Sequence, residues 1–183
     1  MIIFVAGLIG TGKTSLAKAL AERLGYYYYD VDRVKKEIYP TDPQYEYNLK
    51  NNIPFSDEIR AKVFAKVVHD FAELSRKYTH VVVDETLHKK ALRQILFDGA
   101  KKYFGGYVII WVVADEALIK ERLERDIRPG HVLRDAYGMY LSFKKEFEAF
   151  ECPDIIFENN APLQESIVGL AQRVKEVTRA GLA

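Results

Sequence analysis

Apolar residues follow two rhythms along this chain. Short unbroken runs, at Ile2-Ile3-Phe4-Val5-Ala6, at Val81-Val82-Val83 and from Tyr107 to Ala114, have the length and branching of strands buried on both faces. Between them, apolar positions recur at helical spacing: Leu16, Leu20 and Leu24; Ile59, Val63, Val67, Phe71 and Leu74; Leu87, Ala91, Leu92, Ile95 and Leu96; Leu118 and Leu123; then Leu163, Ile167, Leu170, Val174 and Val177. The aromatic run Tyr26 to Tyr29 and the segment Asp154 to Phe157 add two short strands, with alternate tyrosines of the first expected in the core. Local signals agree with these bounds. Gly25 can end the first helix, Gly105-Gly106 breaks another, and Ser56 followed by Asp57 and Glu58 opens a long one. Asp115 can cap the helix carrying Leu118. Arg33 to Tyr39 reads as a short helix, and Ala136 to Phe150 as one that Pro153 terminates.

Strands alternating with helices predict an α/β fold of three layers, α/β/α, around a five-stranded parallel sheet, in a single domain spanning 1–183. Two stretches break the rhythm. Residues 40–56, bracketed by Pro40, Pro43 and Pro54, have no clean period and are expected to form a substrate-facing loop. Residues 122–135 contain the interruption Arg128-Pro129-Gly130-His131, the composition of a hinged lid.

Composition narrows the classes. A chain of 183 residues with 49% hydrophobic content can bury one core. Its 27 Lys plus Arg against 26 Asp plus Glu leave a net charge of +1, which gives no broad field for nucleic acid or an acidic membrane. No run approaches the roughly 20 apolar residues of a membrane-spanning helix, and a cytoplasmic protein is expected. Cys152, the sole cysteine, excludes an internal disulfide and is expected as a small buried side chain.

The chemistry centres on Gly7-Leu8-Ile9-Gly10-Thr11-Gly12-Lys13-Thr14, a G-x-x-x-x-G-K-T sequence between a strand and a helix. Gly7, Gly10, Thr11, Gly12 and Ser15 build a loop whose backbone N–H groups can face phosphate oxygens at the positive end of the helix. Lys13 supplies a charge for the β- and γ-phosphates of ATP, and the Thr14 hydroxyl completes the shell of a Mg²⁺ ion. Three acids, Asp30, Asp32 and Asp84, stand at the C-terminal ends of two strands, where α/β sheets bind ligands. Asp84 reads either as a Walker B acid holding a water of the Mg²⁺ shell or as an acid that merely ends a strand. Asp32 reads as a general base toward an attacking hydroxyl, as an N-cap of the helix opening at Arg33, or as both. Arg122, Arg125, Arg128 and Arg134 surround the Pro-Gly break. Their two readings are a closing lid that stabilises a transferred phosphoryl group, with Arg122 and Arg125 foremost, and surface pairing with Glu121 and Glu124. His131 reads as a solvated loop residue or an acceptor contact, and Tyr45 and Tyr47 as loop aromatics or stacking platforms.

These residues resemble a known group, the small P-loop kinases that include gluconate kinase, shikimate kinase, adenylylsulfate kinase, polynucleotide kinase, chloramphenicol phosphotransferase and the zeta toxins. The likeness extends over nearly the whole chain and is greatest to an uncharacterised branch of that superfamily. Asp32-Arg33-Val34-Lys35-Lys36-Glu37 is similar to the Asp-x-x-Arg element of the group, with Lys35 where an arginine is usual. Asp30-Val31-Asp32 looks like the paired acids of shikimate kinase, and the stretch around Arg128 like the lid of gluconate kinase. The resemblance implies a P-loop NTPase fold with a helical lid, use of MgATP, and a small-molecule acceptor contacted through a hydroxyl, with Asp30, Lys35, Arg128 and Arg134 on the acceptor side. Alternatives are a polynucleotide 5′-hydroxyl kinase, a nucleotide kinase, or an ATP-dependent switch without catalysis. Glu85-Thr86-Leu87 after Asp84 lacks the Gly, aromatic, Pro and Arg typical of nucleoside monophosphate kinases.

Overall fold

The computed structural model describes residues 1–51, 53–125 and 136–180. Among them five strands form one parallel sheet: β1 (Ile2–Ala6), β2 (Tyr27–Tyr29), β3 (Val81–Glu85), β4 (Tyr107–Val113) and β5 (Ile155–Glu158), in the order β2-β3-β1-β4-β5. The helices are α1 (Lys13–Leu24), α2 (Val31–Ile38), α3 (Tyr45–Asn51), α4 (Asp57–Leu74), α5 (Lys90–Phe104), α6 (Glu116–Arg125), α7 (Ala136–Lys145) and α8 (Leu163–Ala180). The three-layer α/β/α arrangement expected from the alternation is present.

Pleating divides β1 between two cores. Ile2, Phe4 and Ala6 face α2, α4 and α5 with Val63, Val67, Phe71 and Leu96, whereas Ile3 and Val5 face α1 and α8 with Leu16, Leu20, Leu170 and Val174. A strand apolar at every position follows from having a helical layer on each side.

Local chemistry sets the ends of the elements. Ser56 accepts a hydrogen bond from Ile59 N at 3.4 Å, so α4 is capped as expected. Gly25 and Gly105 close α1 and α5 in the left-handed conformation. Five expectations are corrected. The cap of α2 is Asp30, which accepts from Asp32 N at 3.0 Å, so the helix opens at Val31 and Asp32 lies inside it. The Pro-bracketed stretch contains a 3₁₀ turn at Tyr39–Thr41 and the helix α3; two turns whose one buried residue is Asn48 carry no readable apolar period. Leu87 precedes α5, with a left-handed φ of 52°. Helix α7 stops at Lys145, before Phe147 and Phe150 turn their rings to Trp111. Cys152 is exposed, in the irregular segment before β5. No helix among the described residues is long and apolar enough to cross a membrane.

Candidate active site

The loop after β1 must turn sharply beneath β4. A side chain at Gly7 would place its Cβ 2.5 Å from the carbonyl oxygen of Val112, so this close backbone approach needs a glycine. Gly12, at φ 84°, is both the cap of α1 and the neighbour of Asn159, whose Nδ2 would lie 2.4 Å from an added Cβ. Asn159 Nδ2 donates to Thr11 O at 2.8 Å, and Arg122 Nη2 donates to Asn159 O at 2.9 Å. Arg122 Nη1 also reaches Thr11 O, at 3.4 Å. Helix α6 and the β5–α8 turn therefore brace the phosphate loop.

Strand β3 ends in two adjacent acids, and its pleat sends them to opposite faces. Asp84 follows Val82 toward α1, and Glu85 follows Val81 and Val83 toward α2 and α4. The register pairs Asp84 with Val5 and Glu85 with Ala6, placing both where the phosphate loop departs. On the α1 face, Thr14 Oγ1 donates to Asp84 Oδ2 at 2.6 Å, while the Tyr28 hydroxyl donates to Asp84 Oδ1 at 2.6 Å. Burial and this bond to the carboxylate push the Tyr28 phenol far up, so it remains a donor. Burial lowers Lys13 below the usual ammonium range, against the pull of Asp84 and Glu85; a bound polyanion would favour its charged form. A cavity of about 450 Å³ opens here, lined by Gly12, Lys13, Thr14, Ser15, Arg122 and Arg125 among others.

On the opposite face, Lys35 joins two acids. Its Nζ lies 3.0 Å from Asp32 Oδ1 and 2.5 Å from Glu85 Oε2, so both carboxylates are paired with one ammonium. Burial opposes the charge on Lys35, but Glu85 and Asp32 outweigh it and raise its affinity for the proton. Glu85 is 4% exposed; burial would raise its carboxyl, yet Lys35 and then Arg60 hold it below the usual range. Asp32 is also held low, chiefly by Lys35. Arg60, 9% exposed, sets Nη1 2.7 Å from His88 Nε2 and rests its guanidinium 4.9 Å from the centre of the Phe143 ring. Lys35, Arg60, Glu85 and Asn48 line a second cavity, of about 200 Å³, whose remaining wall includes Ile9, Tyr39, Ile53, Phe55, Met139 and Phe143.

The predicted residues thus fall into three groups. Gly10, Gly12, Lys13, Thr14, Ser15, Arg122 and Arg125 line the first cavity, while Asp84 meets it through Thr14. Lys35 lines the second, Asp32 meets it only through Lys35, and Asp30 caps α2. Arg122 sits on an ordered helix and is tied to the phosphate loop; Arg125 is exposed, with Nη1 3.5 Å from Glu121 Oε1, the surface pair that the spacing allows. Arg128, His131, Arg134 and the rest of the expected lid beyond Arg125 lie outside the described residues. Of the two tyrosines, Tyr45 stacks on Phe55 at 5.9 Å and Tyr47 is exposed.

The sequence reading passed over Glu85, Arg60, Tyr28, Asn48 and Asn159. Two of these carry a signal. Arg60 stands three and four residues before Val63 and Phe64, a charge on the buried stripe of α4, and Glu85 is the second of two acids at the end of a strand whose faces alternate.

Sheet order, glycine loop and paired acids define a P-loop domain with the fold of the small P-loop kinases. A family model described as an AAA domain matches residues 2–131, and the chain belongs to that family. Among solved structures, it superposes on a sugar kinase from Janibacter sp. HTCC2649 with TM-score 0.74, 18% identity, and coverage of 95% of this chain and 94% of that one. A gluconokinase from Sinorhizobium meliloti 1021 gives TM-score 0.73, 21% identity, and coverage of 98% and 93%. An APS kinase from Mycobacterium tuberculosis, in complex with AMPPNP and APS, gives TM-score 0.66, 15% identity, and coverage of 95% and 96%.

Proposed function

We propose that this protein transfers the γ-phosphoryl group of ATP to a hydroxyl of a small-molecule acceptor. The observation that carries this reading is the pair of cavities separated by the end of β3. One is lined by the phosphate-loop residues Lys13 and Thr14, and the other includes Ile9 of the same loop together with Lys35 and Glu85. A donor and an acceptor bound in them would meet at the loop. The sugar kinase, gluconokinase and APS kinase of similar fold are consistent with this chemistry.

In the transfer, the acceptor oxygen forms a bond to the γ-phosphorus as the bridging P–O bond breaks. The electron pair stays with ADP, and the acceptor proton passes to Asp32 or to water. Because Lys35 holds the Asp32 carboxyl low, Asp32 acts by orienting the hydroxyl and taking its proton late, which suits a loose transition state. Lys13 and the loop N–H groups bear on the transferred charge. Arg122 lines the donor cavity while bracing its wall, and Arg125 can approach from its rim. The hydroxyl of Thr14 and the carboxylate of Asp84, 2.6 Å apart, are a hard oxygen pair suited to Mg²⁺, with Asp84 acting through a water of its shell. Bound there, Mg²⁺ would neutralise phosphate charge.

The test is incubation of the purified protein with MgATP and a panel of sugars, sugar acids, aromatic alcohols, nucleosides and 5′-hydroxyl oligonucleotides, reading phosphorylated product and ADP together. One acceptor should yield both in equal amounts, and Lys13→Met should lower the rate by about a hundredfold or more while the fold is kept. Binding of MgATP without product from any acceptor would overturn the assignment.

A further inference from the structure

The peptide between Thr11 and Gly12 is held from outside the phosphate loop. Thr11 is 3% exposed and lines neither of the two cavities. Its N–H and its Oγ1 both donate to Leu8 O, at 3.4 and 2.8 Å, which curls the loop back on itself. Its carbonyl oxygen accepts from Asn159 Nδ2 at 2.8 Å and from Arg122 Nη1 at 3.4 Å. In a trans peptide the C=O and the following N–H lie in one plane and point in opposite directions. Two donors on the Thr11 carbonyl therefore fix the direction of the Gly12 N–H, one of the loop amides beside Lys13.

Asn159 is itself tied into the sheet. It stands one residue beyond β5 and is 7% exposed; its backbone N–H donates to Val113 O at 2.8 Å, and its carbonyl accepts from Arg122 Nη2 at 2.9 Å. Beside it, Asn160 Oδ1 accepts from Asp115 N at 2.9 Å, just ahead of α6. The Asn159 side chain thus has a fixed origin and one short reach. That reach passes close to Gly12, where an added Cβ would lie 2.4 Å from Asn159 Nδ2, so the glycine ahead of Lys13 answers to Asn159 as well as to its own φ of 84°. Hydrogen bonds to a carbonyl also polarise its amide, which makes the N–H a stronger donor toward an anion.

We propose that Asn159 is a positioning residue for the nucleotide phosphates: by holding the Thr11 carbonyl together with Arg122, it aims the Gly12 N–H at a phosphate oxygen before the nucleotide arrives. This rests on the nucleotide-binding half of the reading above and not on the acceptor. Such preorganisation acts on the phosphate chain and is blind to the base. The experiment is isothermal titration calorimetry of MgATP and of magnesium tripolyphosphate, which keeps the phosphates and lacks the nucleoside, into the wild-type chain and Asn159→Ala. Both ligands should bind the variant at least about fivefold more weakly, by factors within about twofold of each other. A loss confined to MgATP would overturn the proposal and assign Asn159 to the base; a loss below about fivefold for both, or a wild type that binds neither, would overturn it as well. A second reading separates aim from mere support of the fold. In ¹H–¹⁵N spectra of the wild type, tripolyphosphate should move the Gly12 amide proton downfield, and in Asn159→Ala that shift should shrink while the Thr14 amide keeps its own. If the variant folds poorly the wild-type spectrum decides alone, and a Gly12 amide that does not move on binding would overturn the proposal. Since no acceptor is present, a failure here is distinct from absence of phosphoryl transfer, which the acceptor panel measures.

Discussion

Tyr28 gives Asp84 a fixed direction. The carboxylate has two oxygens, and with Oδ1 held by the phenol, Oδ2 is left to face Thr14. Groups that orient a ligand of a metal shell typically change metal affinity by about tenfold to a hundredfold when removed. Tyr28→Phe should therefore raise the Mg²⁺ concentration for half-maximal turnover by about tenfold and leave acceptor KM nearly unchanged. A Mg²⁺ titration of the initial rate checks this, and an unaltered midpoint would reduce Tyr28 to packing. At this scale the sequence was legible wherever chemistry is local. Lys13, Thr14 and Asp84 could be read from spacing and strand position, because a glycine loop between strand and helix fixes its neighbours. The partner of Asp84 could not, since Tyr28 stands 56 positions away on an edge strand, in a run of four tyrosines that differ only in which way they face.

Among the elements, α5 is joined to the segment leading into β5 through Lys90, which meets Glu148 and Glu151, and above all through Arg93. Arg93, 4% exposed, donates from Nη1 to Leu87 O at 3.2 Å and Glu148 O at 2.5 Å, and from Nη2 to Ala149 O at 3.1 Å. Its guanidinium lies 4.2 Å from the centre of the Phe150 ring. The same contact holds Leu87, whose left-handed backbone carries the chain from Glu85 toward His88, and so supports the end of β3 where it meets the second cavity. Arg93→Ala would leave three carbonyls short of a donor, and a loss of about 3 kcal/mol in unfolding free energy is expected. Urea denaturation measures it. A loss below about 0.5 kcal/mol, the size of an ordinary surface change, would contradict the role given to Arg93. The long elements were plain in the apolar pattern, and α3 was not. A helix of two turns that buries an asparagine has too few apolar positions to show a period, and its place is set by packing of Tyr39 and Tyr45 around Phe55.

For the molecule as a whole, the buried histidine beside Arg60 makes stability depend on pH. Burial first, then the positive charges of Arg60 and Lys89, lower His88 from 6.5 to about 4. Above pH 6.5 the ring is neutral in both folded and unfolded chains, and its contribution to stability is complete. As pH falls from 6.5 toward 4 the unfolded chain takes up the proton while the folded one does not, so stability is lost across that window. The loss should approach about 3 kcal/mol and then level off. Denaturant midpoints from pH 7 to pH 4 test this, and His88→Gln should flatten most of the slope between pH 7 and about 5, leaving a part from His80, which burial also lowers, and, toward pH 4, from the carboxyls held low at Glu85, Asp32 and Asp70. An unchanged slope in the variant would show that His88 is not the group responsible. The layered fold was readable from alternation alone, because a parallel sheet needs a helix between successive strands. The second cavity was not, since its wall is assembled from Lys35, Asn48, Arg60, Glu85 and Phe143, which stand on five different elements.

The two acids at the end of β3 have a consequence for how such a protein can change. The end of the strand works as a partition wall between two cavities, one lined by Lys13 and Thr14 and the other by Lys35 and Glu85, and the adjacent residues Asp84 and Glu85 face opposite sides of it. On the proposed function, Arg60, Phe55 or Met139 would vary to admit a new substrate while Thr14, Asp84 and Tyr28 keep their geometry, so selectivity and phosphate chemistry would be inherited separately. A single-residue slip of β3 would exchange the contents of both rooms at once.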